Sequence, residues 1–314
     1  MAKIQGVILA VEPLTDRITS LHIGAVQDGA LPSYEAGAHL EFDLPNGETR
    51  AYSLVSFDAK FDTPDSYLVA VQREYDGKGG SKYMHGLRVG DVVTFSPPKN
   101  DFPLNTSAPA VLLAGGIGIT PMISMASALK VAEQDFSLIF AGRTEADMAF
   151  CSRLRDALGD KLHLHFDDQS GIIDLDSIIS KLGDAHLYVC GPRKMIDVAR
   201  AKADGADIAP ERIHFELFEA AEAASGDVPF EVQINDGTVF TIPVGKTIVE
   251  VLEENDIDVM YDCQRGDCGI CQCDVLAGVP DHRDVVLSQA ERDAGEIMQI
   301  CVSRAKSPRL VLDI

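Results

Sequence analysis

Of the seven cysteines in this 314-residue chain, four are spaced for metal chemistry. Cys263, Cys268 and Cys271 follow one another as C-x4-C-x2-C, and Cys301 lies far downstream after 29 intervening residues. That is the ligand spacing of a plant-type [2Fe–2S] centre. A structural zinc site pairs its ligands two and two, whereas here three share one loop and one is remote. Thiolates and sulfides carry negative charge, so the loop must turn backbone N–H groups inward. Gly266 and Gly269 permit that close approach and a positive φ. Cys273, two residues past the third ligand, reads as a small core residue on the strand leaving the loop.

Two glycine turns point to nucleotide chemistry. Gly115, Gly116 and Gly118 join an apolar run at residues 110–114 to a helix opening at Pro121, with Thr120 just ahead of the proline. Glycine lets a backbone approach a phosphate, and a helix N-terminus offers free N–H groups and a favourable dipole. Packing alone can demand such a turn, so its meaning grows with a partner. Cys190, Gly191 and Pro192 follow a later apolar run, which sets both turns at the C-terminal edge of one sheet, where ligands bind. The loop after the second strand would meet the adenosine ribose. There Arg143 offers a cation to a 2′-phosphate, but Glu145 and Asp147 repel it, which favours NADH over NADPH.

A third pair of segments suits a flavin. Arg50, Tyr52 and Ser53 close an apolar strand, supplying a fork for a phosphate, a stacking face and a hydroxyl. Gly79, Gly80 and Ser81 open a helix and form a second anion-binding turn. Taken singly, each segment reads equally well as an ordinary strand end or loop.

These residues need elements to hold them. A chain of this length implies two or three domains. Residues 1–104 alternate apolar runs (18–23, 39–44, 67–72, 91–95) with Gly, Pro and Asp turns, the pattern of an antiparallel β-barrel. Residues 105–226 change to a run without alternation at 110–114 and a second buried run at 137–141. Runs at 162–166 and 186–190 follow, flanked by helical stretches, with helices expected over 121–132 and 146–158. This implies a doubly wound α/β parallel sheet. Residues 219–227, small and acidic, read as a linker. Residues 227–314 begin with a hairpin over 230–242, turning at Asn235, Asp236 and Gly237. A helix over 248–255 and the cysteine loop follow, matching a β-grasp ferredoxin fold of the α+β class.

Apolar content of 46% and charged content of 24% are those of a soluble globular protein. No run approaches the roughly 18 apolar residues of a membrane span. Gln5, Gly6 and Glu12 interrupt any signal-peptide core, so a cytoplasmic protein without a membrane partner is expected. A net charge of −22 excludes nucleic-acid binding. The bias is steepest over residues 228–314, with 16 acids against 7 bases. It steers a basic protein partner there or serves solubility alone.

Arg-x-Tyr-Ser, Gly-Gly-x-Gly-x-Thr-Pro, Cys-Gly-Pro and the four-cysteine set occur in that order in one chain. The combination resembles the phthalate dioxygenase reductase family, which includes the reductase components of vanillate O-demethylases, over essentially the whole length. The resemblance implies an FMN barrel (1–104), an NAD domain (105–226) and a [2Fe–2S] domain (227–314). It further implies that NADH electrons pass by FMN and the cluster to a Rieske-type oxygenase, for aromatic hydroxylation or O-demethylation. By position, Arg50, Tyr52 and Ser53 match the flavin motif, and Gly79, Gly80 and Ser81 the FMN-phosphate turn. Gly115, Gly116, Gly118, Thr120, Cys190, Gly191 and Pro192 match the nicotinamide-nucleotide loops. Phe218 matches the phenylalanine-rich ending beside the flavin.

FMN rather than FAD follows from the resemblance. Ser53 at the flavin edge and Cys190 beside the nicotinamide are then the catalytic positions. A monomer is expected, with its terminal oxygenase docking near the ferredoxin domain. A cytochrome P450 is the alternative acceptor. A redox-sensing module is a rival of another class, opposed by the complete flavin and nicotinamide motifs and decided by NADH turnover with an artificial acceptor.

Overall fold

Strands of 4 to 10 residues build the first sheet. They are β1 (Ile4–Pro13), β2 (Ile18–Ala25), β3 (His39–Asp43), β4 (Thr49–Ser53), β5 (Tyr67–Gln72) and β6 (Val92–Phe95), with helix α1 (Gly80–Gly86) before β6. The computed structural model describes residues 2–26, 30–75, 77, 79–218 and 224–314. Among the described residues the strand order is β4-β3-β6-β1-β2-β5, antiparallel throughout. A bridge between Leu54 and Val69 joins the end of β4 to β5, closing the sheet into a barrel. A bulge between Ile8 and Ala10 bends β1, as closure requires. Leu21, Ile23, Phe42, Tyr67 and Phe95 fill the interior at 1% exposure or less.

The second sheet alternates strand and helix: β7 (Ala110–Gly115), α2 (Ile119–Val131), β8 (Phe136–Gly142), α3 (Cys151–Leu158), β9 (Leu162–Phe166), α4 (Asp167–Ser170), α5 (Leu175–Ser180), β10 (His186–Cys190), α6 (Arg193–Gly205) and β11 (Ile213–Glu216). Its order, β11-β10-β7-β8-β9, is wholly parallel. The helix expected over 146–158 begins only at Cys151. Phe150 takes φ 65, which a right-handed helix does not allow, and a 3-10 turn occupies Glu145–Asp147 instead. The chain leaves central β7 towards β8 on one side and returns as β10 on the other, so the turns after β7 and β10 meet at the switch point of the sheet.

Barrel and parallel sheet form one compact unit ending at Glu216. They share a core in which Ala36, Val55 and Leu68 pack with Leu112, Met122 and Ile123. Buried hydroxyls fasten the seam. Ser124 Oγ donates to the Leu54 carbonyl (2.7 Å) and accepts from Ser56 N–H (2.9 Å), and Ser127 Oγ donates to the Ser56 carbonyl (2.7 Å).

The second unit runs from Leu217 to Ile314. It holds β12 (Phe230–Gln233), β13 (Val239–Ile242), α7 (Ile248–Glu253), β14 (Gln272–Ala277), β15 (Pro280–Asp281), α8 (Gln289–Ala294), β16 (Ile297–Gln299), β17 (Arg304–Ala305) and β18 (Arg309–Leu312). The main sheet is ordered β13-β12-β18-β14-β16, with β12 and β18 parallel, and β15 pairs with β17. The hairpin turns at Gly237, whose φ of 87 suits glycine. A capping box between Thr247 and Glu250 starts α7, which stops short of the expected Asn255 because Asp256 adopts φ 60. The expected linker falls in part on residues 219–223, which lie outside the described residues. Among those described, no helix is long and apolar enough to cross a membrane.

Candidate functional site

The barrel brings the two flavin-type segments together. Arg50 on β4 lies over the start of α1, where a Cβ on Gly80 would stand 2.8 Å from Arg50 Cγ. Gly79, at φ 96, turns the chain into that helix. Arg50 Nη2 donates to Glu48 Oε2 and Nη1 to the Thr49 carbonyl, both at 2.7 Å. Ser81 Oγ accepts from Glu74 N–H (3.0 Å), which anchors the loop before the helix. Tyr52 packs edge-on to Phe42 at 5.8 Å, and burial, then the Glu74 charge, push its phenol well above the usual range. Ser53, at the end of β4, is 4% exposed, and its Oγ has no hydrogen-bond partner among the described residues. Leaving a buried hydroxyl unsatisfied costs about 1–3 kcal/mol, so its position fits the polar edge of a bound group.

At the sheet edge the two nucleotide loops interlock. A Cβ on Gly118 would collide with the Cys190 carbonyl and stand 2.8 Å from Gly191 N. One on Gly191 would stand 3.0 Å from Gly115 Cα, and one on Gly115 2.7 Å from Pro192 Cδ. Close loop packing therefore demands three of the glycines, whereas Gly116 (φ 55) has open space beside it. Thr120 is buried and donates its hydroxyl to the Ile117 carbonyl (3.0 Å), fixing the 3-10 turn Gly116–Gly118 ahead of α2. Ile117 packs against the cluster of Ile18, Ala70 and Ala149, so the barrel braces this loop directly.

Cys190 is fully buried, and its Sγ donates towards Glu216 Oε2 at 3.8 Å. Glu216, 3% exposed at the end of β11, is paired with Cys190 in the strand register. Motif spacing passed over it. The available signal was an acid ending an apolar strand, and only the register sets it beside the thiol. On the other side of β7 from Cys190, Arg143 follows β8, and its carbonyl accepts from Asp168 N–H (3.1 Å). The nearby acids are engaged: Glu145 with Arg155 at 2.6 Å, and Asp147 with Thr144 Oγ1 at 2.8 Å. Phe218 is 38% exposed at the start of the second unit.

Within the second unit the four thiols meet. Cys263 lies beside Cys268 and Cys301, and Cys271 beside Cys301. These neighbours hold the Cys263 thiol below its ordinary pKa and push Cys268 and Cys301 up in return. Cys271 and Cys301 are 3% and 1% exposed. Arg265 N–H donates to Cys263 Sγ (3.4 Å), and Gly266 and Gly269 take φ 83 and 77, as inward-facing amides require. Asp267 accepts from Leu217 N–H (2.8 Å) and Arg265 Nε (3.4 Å), and burial pushes its carboxyl up to about 7. Cys273 sits in the core, its thiol aimed at the Asp274 carbonyl (3.4 Å) and pushed up to about 11 by burial. Among the described residues no group of His, Cys, Asp and Glu is arranged around a single metal ion. The four-thiol set fits ligands spread over a cluster.

Residues 232–306 match the 2Fe-2S iron-sulfur cluster binding domain family, and residues 112–201 the oxidoreductase NAD-binding domain family. Phenoxybenzoate dioxygenase subunit beta of Ectopseudomonas oleovorans is 41% identical over 293 residues, covering 92% of this chain and 90% of its own. Among solved structures, phthalate dioxygenase reductase, described as modular for electron transfer from pyridine nucleotides to [2Fe–2S], matches at TM-score 0.73. It is 36% identical, and the match covers 100% of this chain and 98% of that one. An intact type IV self-sufficient cytochrome P450 monooxygenase matches at TM-score 0.74 and 31% identity, over 99% of this chain and 41% of that one.

Proposed function

The chain belongs to the phthalate dioxygenase reductase family, and from that premise we propose which of its residues carry electrons from NADH to the [2Fe–2S] cluster and on to an oxygenase. The protein is an NADH-dependent oxidoreductase, the reductase component of an oxygenase system. FMN, when bound to the barrel, supplies the conversion between the electron pair of a hydride and the single electrons a [2Fe–2S] cluster takes.

Arg50 and the amides of Gly79, Gly80 and Ser81 hold the FMN phosphate, and Tyr52 covers the ring. Ser53 gives its hydroxyl to the flavin edge, and its buried Oγ, without a hydrogen-bond partner among the described residues, is the observation that carries this assignment. Gly115, Gly116, Gly118, Thr120, Gly191 and Pro192 seat the dinucleotide, with Arg143 at the adenosine ribose. Cys190, backed by Glu216, lies against the nicotinamide and keeps water from the hydride path. Phe218 flanks the flavin. Cys263, Cys268, Cys271 and Cys301 hold the cluster. FMN then belongs to residues 1–104, NADH to 105–226 and the cluster to 227–314.

The acceptor is a Rieske-type terminal oxygenase for aromatic hydroxylation or O-demethylation. It docks on the acidic ferredoxin domain of a monomeric, cytoplasmic reductase. The likeness to a self-sufficient P450 monooxygenase favours a P450 acceptor as the second reading.

An ultraviolet–visible spectrum of the purified protein should contain flavin and red-brown cluster bands, both bleached by NADH. A colourless protein would refute the scheme. Cys268→Ser should abolish cytochrome c reduction while sparing dye reduction at the flavin, and equal loss of both would contradict the division of labour.

A further inference from the structure

The segment from His282 to Leu287 is laced against the cysteine loop. Val285 N–H donates to the Gly266 carbonyl (2.9 Å), and Asp284 Cα stands 3.0 Å from where a Gly266 Cβ would be. Arg283 N–H donates to Ser303 Oγ (3.2 Å), two residues past Cys301. From α8, Arg292 reaches the Asp284 carboxylate (3.0 Å) and the carbonyls of Asp284 (2.6 Å) and Leu287 (3.0 Å). The Asp284 carboxylate is fully buried and also accepts from Leu287 N–H (2.9 Å).

His282 lies inside this lacing with its side chain 6% exposed. Neither ring nitrogen has a hydrogen-bond partner among the described residues, and Nδ1 stands 4.0 Å from Asp284 Oδ1. Buried polar atoms without partners are rare and costly, and no step above uses this ring. The groups facing it are few. The Asp284 carboxylate and the Arg292 backbone favour a charged ring, and the Arg292 guanidinium and the Lys306 ammonium oppose one. Burial is the largest influence and holds the ring below its ordinary pKa, hence neutral at neutral pH.

One electron added to the cluster changes that balance. It places negative charge in a stretch that already has 16 acids against 7 bases, where burial strengthens every charge interaction. A proton on His282 would offset the electron and complete an ion pair with Asp284.

We propose that His282 is the proton partner of the cluster: as one electron enters the [2Fe–2S] centre, one proton from solvent enters the His282 ring, and both leave together when the electron passes on. This rests on reading the four cysteines as cluster ligands. No bond other than the ring N–H forms or breaks, and the electron is the one NADH supplies. Reduction raises the ring's pKa, so the cluster potential must fall with pH between the oxidised-state and reduced-state values and stay flat outside them.

Spectroelectrochemical titration of the loaded full-length protein, read on the cluster's visible and paramagnetic signals from about pH 5.5 to about 9, tests this. The midpoint should fall as pH rises, by up to about 59 mV per unit, the one-electron equivalent of a tenfold change. His282→Gln, similar in size but unable to take the proton, should flatten the profile. Asp284→Asn, which keeps an acceptor for Leu287 N–H but loses the charge, should move the sloping window to lower pH. A flat wild-type profile with intact cluster signals overturns the proposal alone, and it does so even if His282→Gln fails to fold. A slope that survives in folded His282→Gln also overturns it. Absence of the cluster signals would overturn the ligand assignment, and the proposal with it.

Discussion

The Ser53 hydroxyl makes no hydrogen bond among the described residues, and that makes its replacement informative. Its Oγ is buried and unsatisfied, so Ser53→Ala removes a polar atom without breaking an internal bond. The cofactor-free protein should melt at the same temperature or slightly higher. Reduction of bound flavin by NADH should slow by about tenfold, the kinetic equivalent of one neutral hydrogen bond. A stopped-flow measurement beside a melting curve checks both, and a fall in stability would show that the hydroxyl has an internal partner. Cys190 and Glu216 teach the complementary lesson. They are 26 residues apart in sequence yet adjacent in space, because β10 and β11 pair in parallel with their ends aligned.

At the scale of elements, the glycines divide by what surrounds them. Gly118→Ala must drive its methyl into the backbone of Cys190 and Gly191. It should lower stability by about 1–3 kcal/mol, the usual cost of overpacking, and abolish NADH binding in calorimetry. Gly205 ends α6 with nothing near its missing Cβ. Gly205→Ala should leave NADH binding unchanged and add up to about 1 kcal/mol of stability. If both variants bound NADH alike, the two loops would not need their interlock. The strands Leu162–Phe166 and His186–Cys190 were legible to the residue because each is a short run bounded by polar turns and flanked by helical stretches. The start of α3 was not, since Phe150's left-handed conformation leaves no trace in apolar periodicity.

At the scale of the molecule, charge is the dominant property. The net charge of −22, steepest over residues 228–314, should make electron delivery to a basic protein sensitive to salt. With cytochrome c as acceptor, the apparent KM should rise severalfold between low and physiological ionic strength. With a small neutral dye it should not move. Equal behaviour of the two acceptors would show that the acidity serves solubility alone.

The sequence by itself determined the chemistry. Cysteine spacing, glycine turns and the Arg-x-Tyr-Ser strand end are local signatures, imposed by groups that need particular ligands or a bare backbone within a few residues. The three fold classes were equally legible, because hydrophobic period and turn residues report directly on strand and helix. Only the tertiary structure decided which residues meet. It drew the barrel and the parallel sheet into one unit through buried Ser124 and Ser127. It set Glu216 behind Cys190 and buried the Ser53 hydroxyl and the His282 ring nitrogens without a hydrogen-bond partner among the described residues. Those are matters of register and burial, fixed by how distant segments pack, and no spacing along the chain encodes them.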